Sequence, residues 1–420
     1  MNPIDVSKYR KVPAQKGFWD GSDESLKNKI RILPTFKLIL RLELMEKAGL
    51  YVHIPFCKRK CTYCNFHFST RLETKPDLLT ALKQEMVQRS PEASPYEIGT
   101  LYFGGGTPGM LQAEELSSLM ETLRTQYRFA ADPEITLEAN PDDVNPESLE
   151  FWHRLGINRL SIGIQSLNDE VLRWMNRPHD ADQFRAALRM IVDSGWHDFT
   201  CDLIYGIPGC SDEEWLAQLS WLTGSGVPHL SCYALTVEPH TALHHQIHRK
   251  GKMVMDDDLQ ARQMLLMLGF LQKQGYEAYE ISNFCLPGRR SMHNSSYWEG
   301  SPYLGFGPSA HSFDGRQKRR WNLAHNPGYI KAIRDNETYW EEEQLSPRDL
   351  YNEYVMLQLR RSEGLDLRSI QNLFPPFYHL AEPILMQYCA SGHLVVQDNR
   401  FVLTPEGKLL CDRISMECFA

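Results

Sequence analysis

The feature that most constrains this chain is a regular exchange of short apolar runs with amphipathic helical stretches between residues 50 and 235. Thr100–Phe103, Glu134–Glu138, Arg159–Ile164, Phe199–Ile204 and His229–Ala234 read as strands. Between them Asp77–Arg89, Ala113–Tyr127, Pro146–Leu155, the stretch 169–194 and Asp212–Thr223 carry helical periodicity. Strands that alternate with helices require crossover connections, and those build a parallel sheet covered by helices. With the apolar run that precedes Cys57 the pattern makes a curved, incomplete α/β barrel of about six strand-helix units, over a core domain spanning 45–285.

Beyond about residue 345 the pattern changes. Helical stretches at Pro347–Ser362, Leu367–Phe374 and Ala381–Ala390 precede two strand-like runs, His393–Gln397 and Arg400–Leu403, and a last helix at Pro405–Ile414. Three helices and a small hairpin read as a winged-helix-like domain over 346–420, joined to the barrel by a connecting region, 286–345. No basic recognition helix marks it as a DNA reader. Residues 1–44 are charged and broken by Pro13, Gly17, Gly21 and Pro34, so they read as an extension that contributes little to the core, and Met45 as a natural start for the domain.

Composition excludes whole classes of function. A balance of 45 basic against 53 acidic residues gives a formal charge of -8, which disfavours nucleic acid and anionic membrane as main partners. No run reaches the roughly 20 apolar residues that cross a bilayer, and the N-terminus lacks an uninterrupted apolar signal segment, so a cytoplasmic location is expected. Ten cysteines in 420 residues, three of them within Cys57–Cys64, do not resemble the dispersed framework of a secreted disulfide protein.

Those three stand as Cys57-Lys-Arg-Lys-Cys61-Thr-Tyr-Cys64, directly after a strand. Thiolates suit thiophilic iron, and three can hold three corners of a 4Fe-4S cube while the fourth iron stays open to another ligand. Two alternatives stand beside this: a zinc site completed by His53 or His67, and cysteines that merely pack. Spacing of three then two is unusual for zinc, where paired Cys-x2-Cys knuckles dominate.

Gly104-Gly105-Gly106-Thr107-Pro108 follows the second strand, where glycines let a ligand approach the backbone at a sheet's carboxyl end. It lacks the spacing of a dinucleotide fingerprint and the Lys of a phosphate loop. Glu138, Asn140, Gln165 and Asp202 recur at the same end of successive strands, with Arg177 between them. Each alone reads as a strand-terminal polar group or a helix cap. Together they supply a cation for a carboxylate, acceptors for an amine and partners for ribose hydroxyls.

At this point the chain resembles the HemN/HemW branch of the radical S-adenosylmethionine (SAM) superfamily, from Tyr51 to the C-terminus. The resemblance rests on Tyr51–Phe66, Gly104–Pro108, Glu138–Pro141, Arg159–Ser166, Asp202–Pro208, Ser231–Thr236, Tyr279–Asn283, His293–Trp298 and Tyr303–His311. It implies a partial (β/α)6 barrel, a 4Fe-4S cluster on Cys57, Cys61 and Cys64, and a SAM pocket lined by Tyr51, Tyr63, Gly105, Gly106, Thr107, Glu138, Gln165, Arg177, Asp202 and Ala234. It also implies an electron donor that reduces the cluster for cleavage of SAM. The branch holds two activities, oxygen-independent oxidation of coproporphyrinogen III and haem chaperoning. The oxidase pattern has a further Cys two positions after the third ligand, where this chain has Phe66, and Gly109 departs from a more usual Ser. The expectation is therefore a chaperone that binds haem and delivers it to a haem-requiring acceptor protein. His293, Tyr297 and Trp298 resemble its haem-associated motif; the competing reading makes them a polar turn before Trp298 enters the core.

Overall fold

A computed structural model describes residues 47–250 and 255–420, the side chains of 248–250 excepted. The extension 1–44 and Met45 lie outside the described residues. Six parallel strands form the centre of the molecule in sequence order: β1 (Lys47–Ile54), β2 (Glu97–Gly105), β3 (Phe129–Ala139), β4 (Arg159–Gln165), β5 (Phe199–Tyr205) and β6 (His229–Ala234). Leu50, Val52, Leu101, Leu137, Ile162, Leu203 and Leu230 pack from these strands into one apolar core, the near-continuous burial that helix-covered parallel strands require.

The crossovers are α1 (Lys75–Arg89), α2 (Ala113–Gln126), α3 (Pro146–Leu155), the pair α4 (Asp169–Trp174) and α5 (Ala181–Asp193), and α6 (Asp212–Gly224). Their ends follow local chemistry. Asn145 accepts from the Ser148 amide at 2.8 Å, Pro146 opens α3, and Gly156 closes it in the left-handed region at φ 90°. Ser211 with Glu214 and Asp180 with Gln183 form capping boxes at the starts of α6 and α5.

The sheet runs further than the six-strand pattern. After α7 (Ala242–Lys250) and α8 (Asp257–Lys273), the short strands β7 (Glu277–Ala278) and β8 (Asn283–Cys285) pair antiparallel beyond β6. At the other edge β9 (Tyr303–Phe306) lies parallel to β1, followed by antiparallel β10 (His311–Phe313), β11 (Lys318–Asn322) and β12 (Trp340–Gln344). The stretch 286–345, read as a connection, thus carries four of the twelve strands of the main sheet among the described residues.

The C-terminal unit has its own core of Tyr351, Val355, Leu359, Ile370, Leu385, Phe401 and Ile414. Three helices (Pro347–Arg360, Leu367–Leu373 and Tyr378–Ala390) enclose it, with a hairpin of Leu394–Gln397 and Arg400–Leu403, as a winged-helix-like domain requires. The expected last helix is two, Pro405–Leu409 and Cys411–Glu417, broken at Leu410. Among the described residues no helix is long and apolar enough to cross a membrane.

Candidate active site: a cysteine loop over the carboxyl ends of the strands

The loop that leaves β1 arches over the ends of the barrel strands. It is tied down at Thr62, whose amide donates to the Met175 carbonyl at 3.1 Å and whose carbonyl accepts from the Leu243 amide at 2.8 Å. Lys58 adds ion pairs of 2.7 and 2.6 Å to Asp142 and Asp143, beyond the end of β3. Cys57, Cys61 and Cys64 are half-buried in this loop. Burial pushes the Cys57 thiol up to about 12 and Cys64 to about 11, each against the pull of Arg177. Without a cation they stay protonated, and a metal that takes them as thiolates must displace those protons.

The donor set fits an iron-sulfur cube better than a single ion. Among the described residues no three Cys, His, Asp or Glu side chains converge on one metal position, whereas a cube takes each thiolate on a separate iron. The histidines that could complete a zinc site are engaged elsewhere. His53 meets the Tyr51 hydroxyl at 3.1 Å through Nδ1 and the His67 carbonyl at 2.9 Å through Nε2, and His67 Nε2 lies 2.7 Å from Asn326 Oδ1. Burial lowers His53 to about 4, so it is neutral.

Arg177 links the loop to the strand ends. Nη1 donates to Cys61 Sγ at 3.4 Å, and Nη2 donates to Asn140 Oδ1 and to the Gly163 carbonyl, both at 2.5 Å. Its Nε is buried without a partner. Tyr63 lies against Cys61, Cys64 and Arg177. Glu138 accepts from the Tyr102 hydroxyl at 2.8 Å and from the Gly105 amide at 3.0 Å. A bulge between Gly163 and Gln165 turns Gln165 to φ 66°, a left-handed conformation uncommon for glutamine that re-aims its side chain at a strand end. Asp202 accepts from Ser161 Oγ at 3.0 Å, and burial followed by the Glu138 charge raises it to about 6. Ala234 ends β6.

Glu138, Gln165, Arg177, Asp202, Ala234 and Tyr63 are all half-exposed around the same mouth. The other four expected members sit differently. Tyr51 is fully buried and stacked on Tyr102 with ring centroids 6.0 Å apart, so it backs the Glu138 wall from behind. In the glycine turn, a Cβ on Gly106 would lie 2.4 Å from the Phe56 carbonyl, while Gly105, at φ 105°, would drive one into the His53 ring. Packing against the cysteine loop alone demands glycine there. Thr107 is buried, with its amide on the Phe56 carbonyl at 2.7 Å and its hydroxyl accepting from Asn140 at 3.2 Å. Lys58 at the rim, with Tyr102 and Ser161 buried behind Glu138 and Asp202, completes the site, and none of the three is singled out by the sequence; the basic run inside the cysteine loop facing Asp142-Asp143 is the signal for Lys58.

The His293–Trp298 segment, expected to be associated with haem, is packed into the interior of this structure. It forms α9 (Met292–Trp298), and His293 is 1% exposed. Its Nδ1 lies 2.7 Å from Thr100 Oγ1, its Nε2 lies 2.9 Å from the Tyr297 hydroxyl, and its ring stacks on Tyr102 at 5.0 Å. Both nitrogens are occupied here, so haem ligation by this imidazole would require one of these contacts to be given up. Tyr297 packs with Tyr303, Phe313 and Leu345, and Trp298 is buried. The segment is therefore a short buried helix rather than a polar turn, with Trp298 in the core as the competing reading has it.

The chain matches the Radical SAM superfamily over residues 51–222 and the HemN C-terminal domain over 345–410. It is 35% identical to the heme chaperone HemW of Mycobacterium tuberculosis (strain H37Rv), across 88% of this chain and 94% of that one. It is 30% identical to the heme chaperone HemW of Escherichia coli, across 88% and 97%. A solved structure of coproporphyrinogen III oxidase (HemN) from Escherichia coli, a radical SAM enzyme, aligns with a TM-score of 0.78 at 28% identity over 90% of each chain. A parallel half-barrel under a three-cysteine loop, with these matches, defines a radical SAM protein whose cofactors are a 4Fe-4S cluster and SAM. Within that superfamily the chain belongs to the HemW family.

Proposed function

We propose that this protein is a haem chaperone that holds a 4Fe-4S cluster on Cys57, Cys61 and Cys64, binds SAM across the strand ends, and delivers haem to an acceptor protein in the cytoplasm. The observation that carries the reading is likeness over nearly the whole length to proteins named heme chaperone, 35% identical across 88% of the chain. Phe66, 45% exposed where the oxidase pattern has a further Cys, agrees with it.

The residues divide the binding of SAM by charge. Arg177 presents a guanidinium to the carboxylate. Glu138, its orientation held by Tyr102 and Gly105, accepts from the ammonium, and Asp202 and Gln165 take ribose hydroxyls. Tyr63 and Ala234 flank the nucleoside, and the Gly105-Gly106-Thr107 turn, backed by Tyr51, walls the amino-acid end. When bound, cluster and SAM together supply one-electron chemistry, with a protein electron donor as partner. Asn140 and Gly163 hold Arg177 in place, and Lys58 fixes the loop that carries the cysteines.

The test uses anaerobically reconstituted full-length protein. Haem titration should give a shifted Soret band at a stoichiometry near one. Incubation with SAM, reductant and coproporphyrinogen III should yield no protoporphyrinogen. Multiple turnovers of that product would overturn the chaperone reading in favour of the oxidase, and an unshifted Soret band would remove haem as cargo.

A further inference from the structure

Beneath the mouth, the barrel lumen encloses a cavity of about 20 Å³ lined by Tyr102, Thr136, Arg159, Asp202, Asn294 and neighbouring hydroxyls. A space of roughly 10–15 Å³ suffices for one water molecule. The residues come from segments far apart in the chain: Arg159 opens β4, Asp202 lies in β5, and Asn294 belongs to α9.

Arg159 is 3% exposed, and among the described residues no carboxylate forms an ion pair with it. Its Nη2, Thr136 Oγ1 and Asn294 Oδ1 are buried without hydrogen-bond partners. A guanidinium stripped of water and left unpaired is costly. A single water placed there would accept from Arg159 and Thr136 and donate to Asn294 and Asp202, all of which line the cavity.

We infer that Arg159 is a positioning residue for Asp202, acting through one water in the barrel lumen, and that it widens the pH range over which the protein grips SAM. The inference rests on Asp202 belonging to the SAM pocket. The groups facing Asp202 from the packed elements are Glu138 on β3, Ser161 on β4, Tyr102 on β2, Ser231, Cys232 and Tyr233 on β6, with Cys201 beside it. Glu138 opposes its ionisation, and the phenols and thiols are neutral, burial having raised each of them. A cation across one water favours the carboxylate.

SAM affinity of the reconstituted protein, measured calorimetrically as a function of pH, tests this. Wild type should lose affinity as pH falls through the titration of Asp202. Arg159→Met should move that loss about one pH unit higher, so that SAM binds roughly tenfold more weakly on the acidic side of the transition and only about twofold more weakly near neutrality, one pKa unit of lost charge stabilisation. Arg159→Lys should restore part of the affinity, and Thr136→Val, which removes one water partner at constant size, should shift the profile less in the same direction. Iron content should stay at the wild-type value in all three. A wild-type pH profile in Arg159→Met, or in Thr136→Val should the first variant fail to fold, overturns the inference. Asp202→Asn separates the two layers: wild-type SAM binding in that variant removes Asp202 from the pocket, whereas a defect there beside a normal Arg159→Met profile sinks only the role of Arg159.

Discussion

Two segments of this chain present ligand-like side chains at close spacing, and the structure treats them in opposite ways. In the Cys57–Cys64 loop the thiols are half-buried, and the nearby Arg177 Nε has no partner. In α9 the imidazole of His293 is sealed at 1% exposure with both nitrogens engaged and aromatic rings on its flanks. Residue type and spacing do not separate the two. What separates them is spare valence: a site must keep donors or acceptors that its own fold does not consume.

Removing a cysteine gives the largest effect. Cys61→Ala should take reconstituted iron from about four per chain to a small fraction of that and abolish the brown colour, because two thiolates cannot replace three. His293→Ala should leave iron content and the haem-induced Soret shift unchanged. It should destabilise the fold by about 3 kcal/mol in urea titration, since Thr100 and Tyr297 lose buried partners and a ring-sized void opens beside Tyr102. Loss of the Soret shift in a variant that still folds would reopen the segment as a haem site and collapse the contrast. Glu138→Gln keeps the shape and acceptor oxygen facing Tyr102 but removes the charge. It should weaken SAM by roughly thirtyfold, about 2 kcal/mol, read as a diminished SAM-induced change in the electron paramagnetic resonance signal of the reduced cluster. An unchanged response would take Glu138 out of the mouth.

Much of this was legible because local chemistry decides it. Asn145, Pro146 and Gly156 mark both ends of α3, and His229–Ala234 is the same strand in sequence and structure. The branch of the superfamily was legible from several segments acting together. The outer strands were not: β7 has two residues and β8 and β10 three each, and β12 reads Trp-Glu-Glu-Glu-Gln, so their pairing is set by neighbours rather than by alternation. The burial of His293 was hidden for a related reason. Its partners Thr100 and Tyr102 come from β2, 193 residues away in the case of Thr100, and nothing in the spacing of His293-Asn294-x-x-Tyr297-Trp298 announces them. Arg159 sits at the first position of its strand, yet it is buried and lines the lumen cavity beside residues of other elements, which spacing alone does not reveal.

The smallest effect, and the sharpest on the contrast, is a slope. Burial holds His293 at about 3 in the folded protein against an ordinary 6.5. Between those values the unfolded chain binds a proton at this site and the folded chain does not. Stability is therefore lost as pH falls from about 6.5, by up to about 1.4 kcal/mol per pH unit from this one imidazole. His53, lowered to about 4 mainly by burial, adds a similar drain over a shorter range. Urea unfolding of wild type and His293→Gln in the mildly acidic range isolates the His293 share, because glutamine can still hydrogen-bond to Thr100 or Tyr297 but does not titrate. The variant should be somewhat less stable than wild type at neutral pH and lose less as the pH is lowered, by about one proton's worth of slope. Parallel slopes would mean that His293 titrates equally in both states and so reaches solvent in the folded protein. In that case the imidazole has spare valence after all, and the difference between the two segments is one of degree.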